Sequence, residues 1–289
     1  MRLLIAGAQG MLGHDVRRAA ERAGHEVLSR DLPELDITDE ASIAALFQRE
    51  RPDATVNCAA WTDVDGAESH AEAARAVNTD GAGKLARAAA SAGTALLHVS
   101  TDYVFDGKPP VDADGRPRPY VESDPTGPRS VYGETKLDGE RQVLAASPRH
   151  TVVRTAWLYG VDGGNFVETM LRLAGERDAV QVVTDQIGCP TWSGHLATAA
   201  IGLIEREVSG LVHQAGAGRA SWNEFAVEIF RQAEVACRVD PCTSAEMTRP
   251  AVRPAWSVME SERDEVIPMP DWRDGLAEYL AARAGMMRA

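Results

Sequence analysis

The sequence predicts an α/β fold class, a doubly wound parallel sheet with a smaller lobe at its C-terminal end. Three observations carry the prediction. Apolar strand-like runs alternate with helix-like stretches over the first 100 residues, a glycine-rich turn joins the first such pair, and the alternation loosens beyond Gly210.

Residues 2–6 are a short apolar run and residues 16–23 a helix-like stretch ended by Gly24. A second strand is expected over residues 25–29. Residues 43–49 read as helix until Pro52 interrupts, and residues 54–59 make a third strand. Residues 67–90 are alanine-rich and helical, and residues 95–100 are the next apolar run. Strands alternating with helices in this way argue for a parallel sheet covered on both faces.

Residues 106–129 are rich in Pro, Gly and Asp and should form a long loop, a length that inside a compact domain usually serves function. A helix follows over residues 130–146, a buried strand over 151–158, a helix over 166–175, and a strand over 181–183 that leads into the loop at 185–191. Farther on, Pro241, Pro250, Pro254, Pro268 and Pro270 break the pattern, as suits a partly irregular lobe covering a substrate.

Composition narrows the function classes. With 289 residues, 44% apolar and 25% charged, the chain is ordinary globular protein. It has no apolar run long enough for a membrane span, and its first apolar stretch is too short for a signal peptide, so a cytoplasmic location is expected. A net charge of −13 opposes binding to nucleic acid or to an anionic membrane, so an anionic ligand needs a local positive site. Cys58, Cys189, Cys237 and Cys242 lack zinc-site spacing, and Cys58 reads as a buried thiol.

Gly7, Gly10 and Gly13 are spaced as GxxGxxG directly after the first strand. Without a Cβ the backbone can approach a pyrophosphate, whose charge is stabilised by free N–H groups and the positive end of a helix dipole. Residues 1–158 therefore read as a Rossmann-type dinucleotide-binding domain. Residues 159–289 read mainly as a substrate-binding lobe, with 181–206 returning to the Rossmann core. At the end of the second strand Arg30 and Asp31 stand side by side: an acidic residue there suits the adenosine ribose of NADH and a basic one the 2′-phosphate of NADPH. Either cofactor is admitted, with Arg30 tilting towards NADPH.

Tyr132 and Lys136 are four residues apart in a predicted helix, so their side chains share one face. A phenol is a poor acid at neutral pH, and a neighbouring ammonium would stabilise the phenolate. Tyr132 could then protonate an alkoxide as hydride reaches carbon, while Lys136 tunes the phenol and holds ribose hydroxyls. Random placement of the five tyrosines and the few lysines gives only roughly 0.05 such pairs. Ser100, Thr101 and Asp102 follow an apolar strand and should lie at the carboxyl edge of the sheet, where a hydroxyl can orient a substrate oxygen.

Together these residues resemble the extended short-chain dehydrogenase/reductase superfamily and, within it, the dTDP-4-dehydrorhamnose reductase family. The resemblance spans nearly the whole chain. It is carried most specifically by the string Ser-Thr-Asp-Tyr-Val-Phe-Asp-Gly at 100–107 and by Asp-Gln-Ile-Gly-Cys-Pro-Thr at 185–191, with Tyr-Gly-Glu-Thr-Lys at 132–136. It implies a catalytic triad of Thr101, Tyr132 and Lys136. It also implies cofactor contacts from Gly10, Met11, Leu12, Asp36, Ile37, Ala60, Trp61, Thr62, Tyr132 and Lys136, and we add Gly7, Gly13, Arg30, Asp31 and Ser100 from their positions. Sugar contacts are implied for Thr101, Asp102 and Trp157, and a place for Arg253 near the substrate's pyrophosphate.

The implied reaction is NADPH- or NADH-dependent reduction of the 4-keto group of dTDP-4-dehydro-L-rhamnose. The implied partner is a dTDP-sugar, with no nucleic acid or membrane. Some relatives are Mg2+-dependent dimers, so the resemblance admits a homodimer here too; Asp15 follows the glycine turn and no other metal ligands can be matched, so no metal is assigned. Two other functions fit the same motifs. One is 4-keto reduction of a different dTDP-deoxyhexose; the other is a non-catalytic regulatory subunit resembling the methionine adenosyltransferase beta chain, which would not need Thr101, Tyr132 and Lys136.

Overall fold

The computed structural model describes residues 1–286. Its first half alternates strand and helix: β1 (Arg2–Ala6), α1 (Met11–Arg22), β2 (Glu26–Arg30), α2 (Glu40–Glu50), β3 (Ala54–Asn57), α3 (Val64–Ser69), α4 (Ala71–Arg75), α5 (Ala82–Ser91) and β4 (Ala95–Thr101). After the long loop come α6 (Val131–Ala146), β5 (Thr151–Thr155), β6 (Leu158–Tyr159), α7 (Phe166–Ala174), β7 (Ala179–Val183), β8 (Ile187–Gly188), β9 (Thr191–Trp192) and α8 (Ser193–Glu205). The chain ends with β10 (Gly210–His213), β11 (Ala220–Ser221), α9 (Trp222–Gln232), β12 (Arg238–Cys242) and α10 (Trp272–Met286).

Six strands form one parallel sheet in the order β10-β5-β4-β3-β1-β2. Its winding follows from the alternation within β1. Leu3 and Ile5 point to the face covered by α1 and α8, where they meet Val16, Leu196 and Ile201. Leu4 and Ala6 point to the opposite face and pack with Leu46, Leu85 and Val152 under α2, α5 and α6. Both faces are dry, as the apolar runs require. The strand order reverses around β1, so a crevice opens beyond the carboxyl ends of β1 and β3, the place where ligands bind in such sheets.

Three elements differ from the sequence expectation. The helix expected over 67–90 is broken at His70, and Ala76–Gly81 is a π-helical stretch between α4 and α5. The strand expected over 151–158 is interrupted because Trp157 takes φ 48°, a backbone conformation L residues rarely adopt. Finally, β7 does not join the large sheet: it pairs with β12, and the sixth strand is β10, registered on β5 from Gly210 opposite Thr151. Of the 181–206 segment, α8 packs against α1 on the large domain. Apart from β10, much of the C-terminal half has its own core, in which Val167, Phe225, Ile229, Trp272 and Tyr279 join α7, α9 and α10.

Candidate active site

A cavity of about 830 Å3 runs along the carboxyl edge of the sheet. At one end lies the turn Gly7–Gly13, and each glycine answers a separate steric demand. Gly7 has φ +74°, and a Cβ there would lie 2.5 Å from the Ala59 nitrogen. At Gly13 a Cβ would come within 2.8 Å of Ala8 Cα, so this glycine lets α1 seat against the turn. A Cβ on Gly10 would meet only Gly7 O, at 3.3 Å, and otherwise project into free space. Gly10 caps α1 with no side-chain hydrogen bond, and no acidic residue occupies the first turn. The first-turn N–H groups of Met11 and Leu12 thus face the cavity without a competing carboxylate, which fits an anionic pyrophosphate.

Beyond the turn the cavity is lined by Asp31, then by Asp36 and Ile37, and on its far wall by Ala60, Trp61 and Thr62. The Asp31 carboxylate already accepts from the backbone N–H of Gln9 at 3.0 Å and of Leu32 at 2.9 Å. Arg30 does not line the cavity. Its guanidinium is drawn back to Glu50, 2.8 Å away, and to the Ser29 carbonyl, and this pairing helps hold the Glu50 carboxyl below the ordinary range. Asn78, unremarkable in the sequence, is buried in the π-helical stretch. It accepts from Trp61 N at 2.8 Å and donates to the Trp61 carbonyl and the Thr135 hydroxyl, tying the Ala60–Thr62 wall to α6. A π-turn that redirects a polar side chain at a ligand cavity is a recurrent use of this irregularity.

At the other end the cavity is lined by Ser100, Thr101, Asp102, Tyr132, Lys136 and Trp157. Thr101 ends β4 and Ser130 caps α6 by accepting from Gly133 N, so strand and helix present Thr101 and Tyr132 to the same space. The Thr101 hydroxyl donates to Asp102 Oδ1 at 3.0 Å. Asp102 is 2% exposed and its Oδ2 has no partner. Burial pushes this carboxyl up to about 6; the Thr101 hydroxyl and the Ser257 hydroxyl, which lies close by without making a hydrogen bond of regular geometry, oppose the rise. Ser100 lines the cavity, yet its hydroxyl donates to Glu140, whose carboxylate also takes both forks of the buried Arg154 at 2.9 and 2.7 Å.

The expected lowering of the Tyr132 phenol by Lys136 is not what the geometry gives. Burial pushes the phenol up to about 12; the Thr101 hydroxyl opposes that rise and Asp102 adds to it. Lys136 has its Nζ anchored on the Val99 carbonyl at 2.6 Å, which draws its charge towards β4. Its own pKa falls to about 8, chiefly through burial.

Trp157 forms the rim. Its strained backbone is compensated by a flat stack on Trp222, with centroids 3.6 Å apart and planes 4° apart, and by an Nε1 hydrogen bond to Ser257 at 3.2 Å. Gly188 makes room, since a Cβ there would lie 2.5 Å from Trp157 Nε1. Arg253, expected near a pyrophosphate, does not line this cavity; it pairs with Asp65 through both terminal nitrogens, Nη2 donating to Oδ2 at 2.8 Å. The four cysteines are free thiols, and burial pushes those of Cys58 and Cys189 up to about 12. Asp15 is 7% exposed, accepts from Ser193 and lies beside Arg18. Among the described residues no three ligand-type side chains cluster to hold a metal, so the residues do not fit a Mg2+ site within one chain. Nor, among those residues, is any helix long and apolar enough to cross a membrane.

Comparison with known proteins agrees with this geometry. The family model described as RmlD substrate binding domain matches residues 1–284. The dTDP-4-dehydrorhamnose reductase of Streptomyces griseus is 45% identical, over 98% of this chain and 94% of that protein. A probable dTDP-4,6-dihydroxy-2-methyloxan-3-one 4-ketoreductase of Streptomyces antibioticus is 44% identical, over 96% and 94%. The crystal structure of dTDP-4-dehydrorhamnose reductase from Bacillus anthracis in complex with NADP superposes with a TM-score of 0.92 at 35% identity, covering 97% of this chain and 99% of that one. The chain therefore belongs to the RmlD substrate binding domain family, that of the dTDP-4-dehydrorhamnose reductases.

Proposed function

We propose that this protein reduces the 4-keto group of dTDP-4-dehydro-L-rhamnose to give dTDP-L-rhamnose, using NADPH or NADH. The observation that carries the reading is the single cavity that joins a pyrophosphate-sized glycine cradle to Thr101, Asp102 and Tyr132. The family relatives supply the choice of substrate and, through the NADP complex, the choice of cofactor class.

The cradle of Gly10, Met11 and Leu12 would hold the cofactor's pyrophosphate, and Asp31, Asp36 and the Ala60–Thr62 wall its two nucleoside ends. When bound, the dinucleotide supplies the hydride. The chain's own residues handle the oxygen and the proton. Thr101 turns its hydroxyl proton from Asp102 to the sugar's carbonyl oxygen and so orients it, and Tyr132, kept protonated by a pKa of about 12, delivers its phenolic proton as that oxygen becomes a hydroxyl. Lys136, only 2% exposed, lines the same cavity, where its ammonium form would donate to the ribose hydroxyls of the dinucleotide. Asp102, which lines the cavity, accepts from a sugar hydroxyl beside the ketone. Trp157 closes the outer face of the ring.

A second reading is favoured by the Streptomyces antibioticus relative: 4-keto reduction of another dTDP-deoxyhexose by the same groups. The non-catalytic alternative has less support, because a regulatory subunit would have no use for Thr101, Tyr132 and Lys136 around one cavity.

Tyr132→Phe tests the mechanism. Turnover of dTDP-4-dehydrorhamnose should fall by a factor of about 100 or more, while NADPH binding followed by fluorescence stays within about twofold of wild type. Turnover that survives in this variant would remove Tyr132 from the role of proton donor.

A further inference from the structure

Behind Lys136 a short chain of hydrogen bonds crosses the sheet. The register of β3 on β4 sets Asn57 opposite His98, and both are essentially inaccessible, at 1% and 0% exposure. Ala59 N donates to Asn57 Oδ1 at 3.1 Å, which fixes the amide's orientation, since a backbone N–H needs the oxygen. Asn57 Nδ2 then faces His98 Nδ1 at 3.0 Å and must donate to it. A neutral imidazole whose Nδ1 accepts carries its proton on Nε2. That Nε2 lies 3.5 Å from Lys136 Nζ.

An ammonium has three donors and no lone pair, so an N–H aimed at it opposes it, whereas an amine accepts that N–H. We infer that His98 is a positioning residue for Lys136: the Ala59–Asn57–His98 chain aims the imidazole's Nε2 proton at Nζ and favours the amine form of Lys136 over the ammonium. The imidazole itself stays neutral, since burial and the Lys136 charge both hold its pKa well below the ordinary value.

The other groups acting on Lys136 set the opposite side of the balance. Glu140, four residues on in α6, and Cys58, just past β3, both favour the ammonium, and the Val99 carbonyl accepts from it. Burial opposes them and brings the side chain down to about 8, and the imidazole proton aimed at Nζ acts in the same direction as burial. Lys136 is then a switchable group and not a permanent cation. This inference rests on the proposed role of Lys136 only for its consequence in catalysis; the hydrogen-bond chain itself makes no reference to the sugar.

The test is made on the full chain without ligands. Because the protein has only three lysines, Lys84, Lys108 and Lys136, [ε-13C]lysine labelling gives a spectrum in which each can be followed. Lys136 should titrate near 8 in the wild type. Long-range 1H–15N correlations should show His98 as the Nε2–H tautomer. In Asn57→Asp the carboxylate accepts from both Ala59 and the imidazole, so His98 should change to the Nδ1–H tautomer and offer Nε2 as an acceptor. The Lys136 midpoint should then rise to about 9 or above.

A wild-type His98 found as the Nδ1–H tautomer overturns the inference whether or not the variant folds. So does a folded Asn57→Asp protein whose Lys136 midpoint or His98 tautomer is unchanged. In activity, the alkaline limb of kcat/KM should move upward with the midpoint. A midpoint that moves while that limb stays fixed would leave the His98 assignment standing and count against the proposed role of the Lys136 ammonium in catalysis.

Discussion

Asp102→Asn should stabilise the protein while impairing it as an enzyme. The carboxyl is 2% exposed, has one oxygen without a partner, and titrates at about 6 where an unperturbed aspartate titrates at 3.8. At ~1.4 kcal/mol per pKa unit, this displacement corresponds to about 3 kcal/mol of folding free energy lost when the carboxylate ionises. The sign follows from proton binding. Between pH 3.8 and 6 the folded state holds the proton more tightly than the unfolded chain, so the penalty is absent below 3.8 and complete above about 6. An asparagine never ionises, but its NH2 would also lack a partner, at a cost of ~1 kcal/mol, leaving a net gain of about 2 kcal/mol at pH 8. For a chain of this length that is a rise in Tm of roughly 3 °C. Paired thermal and urea melts at pH 8 and pH 4.5 measure it, with most of the gain gone at the lower pH. A variant no more stable than wild type at pH 8, or equally stabilised at both pH values, would refute the reasoning. If Asp102 accepts from the sugar, KM should rise about tenfold or more in the same protein.

The two halves of the glycine turn should respond differently. Gly13→Ala places a methyl against Ala8 and Gly7 and should cost about 2 kcal/mol or more, seen as a lower Tm. Gly10→Val meets only Gly7 O, at 3.3 Å, and should lower Tm by less than Gly13→Ala does while weakening NADPH binding about tenfold or more, measured by calorimetry; tight binding by this variant would count against the cradle. Glu50→Gln releases Arg30 from its charged partner and should raise the NADPH-to-NADH ratio of kcat/KM, and lower that of Kd, by about threefold or more. An unchanged ratio would mean that Arg30 does not reach a 2′-phosphate.

What could be read from the sequence was what local pattern decides. The alternation of Leu3, Leu4, Ile5 and Ala6 fixes a strand buried on both faces, and the glycine spacing fixes the turn that follows. Four-residue spacing puts Tyr132 and Lys136 on one face, and continuing it would have reached Glu140, the carboxylate that joins Ser100 and Arg154. Contacts set by long-range register were not legible. Arg253 looked free for a phosphate because nothing near it in sequence is acidic; its partner Asp65 is 188 residues away. Arg30 is likewise held by Glu50 from the next helix. The β-rich run at 181–183 was a sound strand, but only the three-dimensional pairing with β12 shows that it belongs outside the large sheet. Lys136 illustrates the same limit within the site: spacing gave its face, whereas the Val99 carbonyl and His98 on β4 decide where its Nζ rests.

The most direct test of the account is to incubate the purified protein with enzymatically generated dTDP-4-dehydro-L-rhamnose and either NADPH or NADH, then identify the sugar product by NMR. The account predicts dTDP-L-rhamnose formed in equal amount to the nicotinamide oxidised. A protein that binds NADPH yet oxidises none above the blank with this substrate, or that reduces only a different dTDP-deoxyhexose, would contradict it.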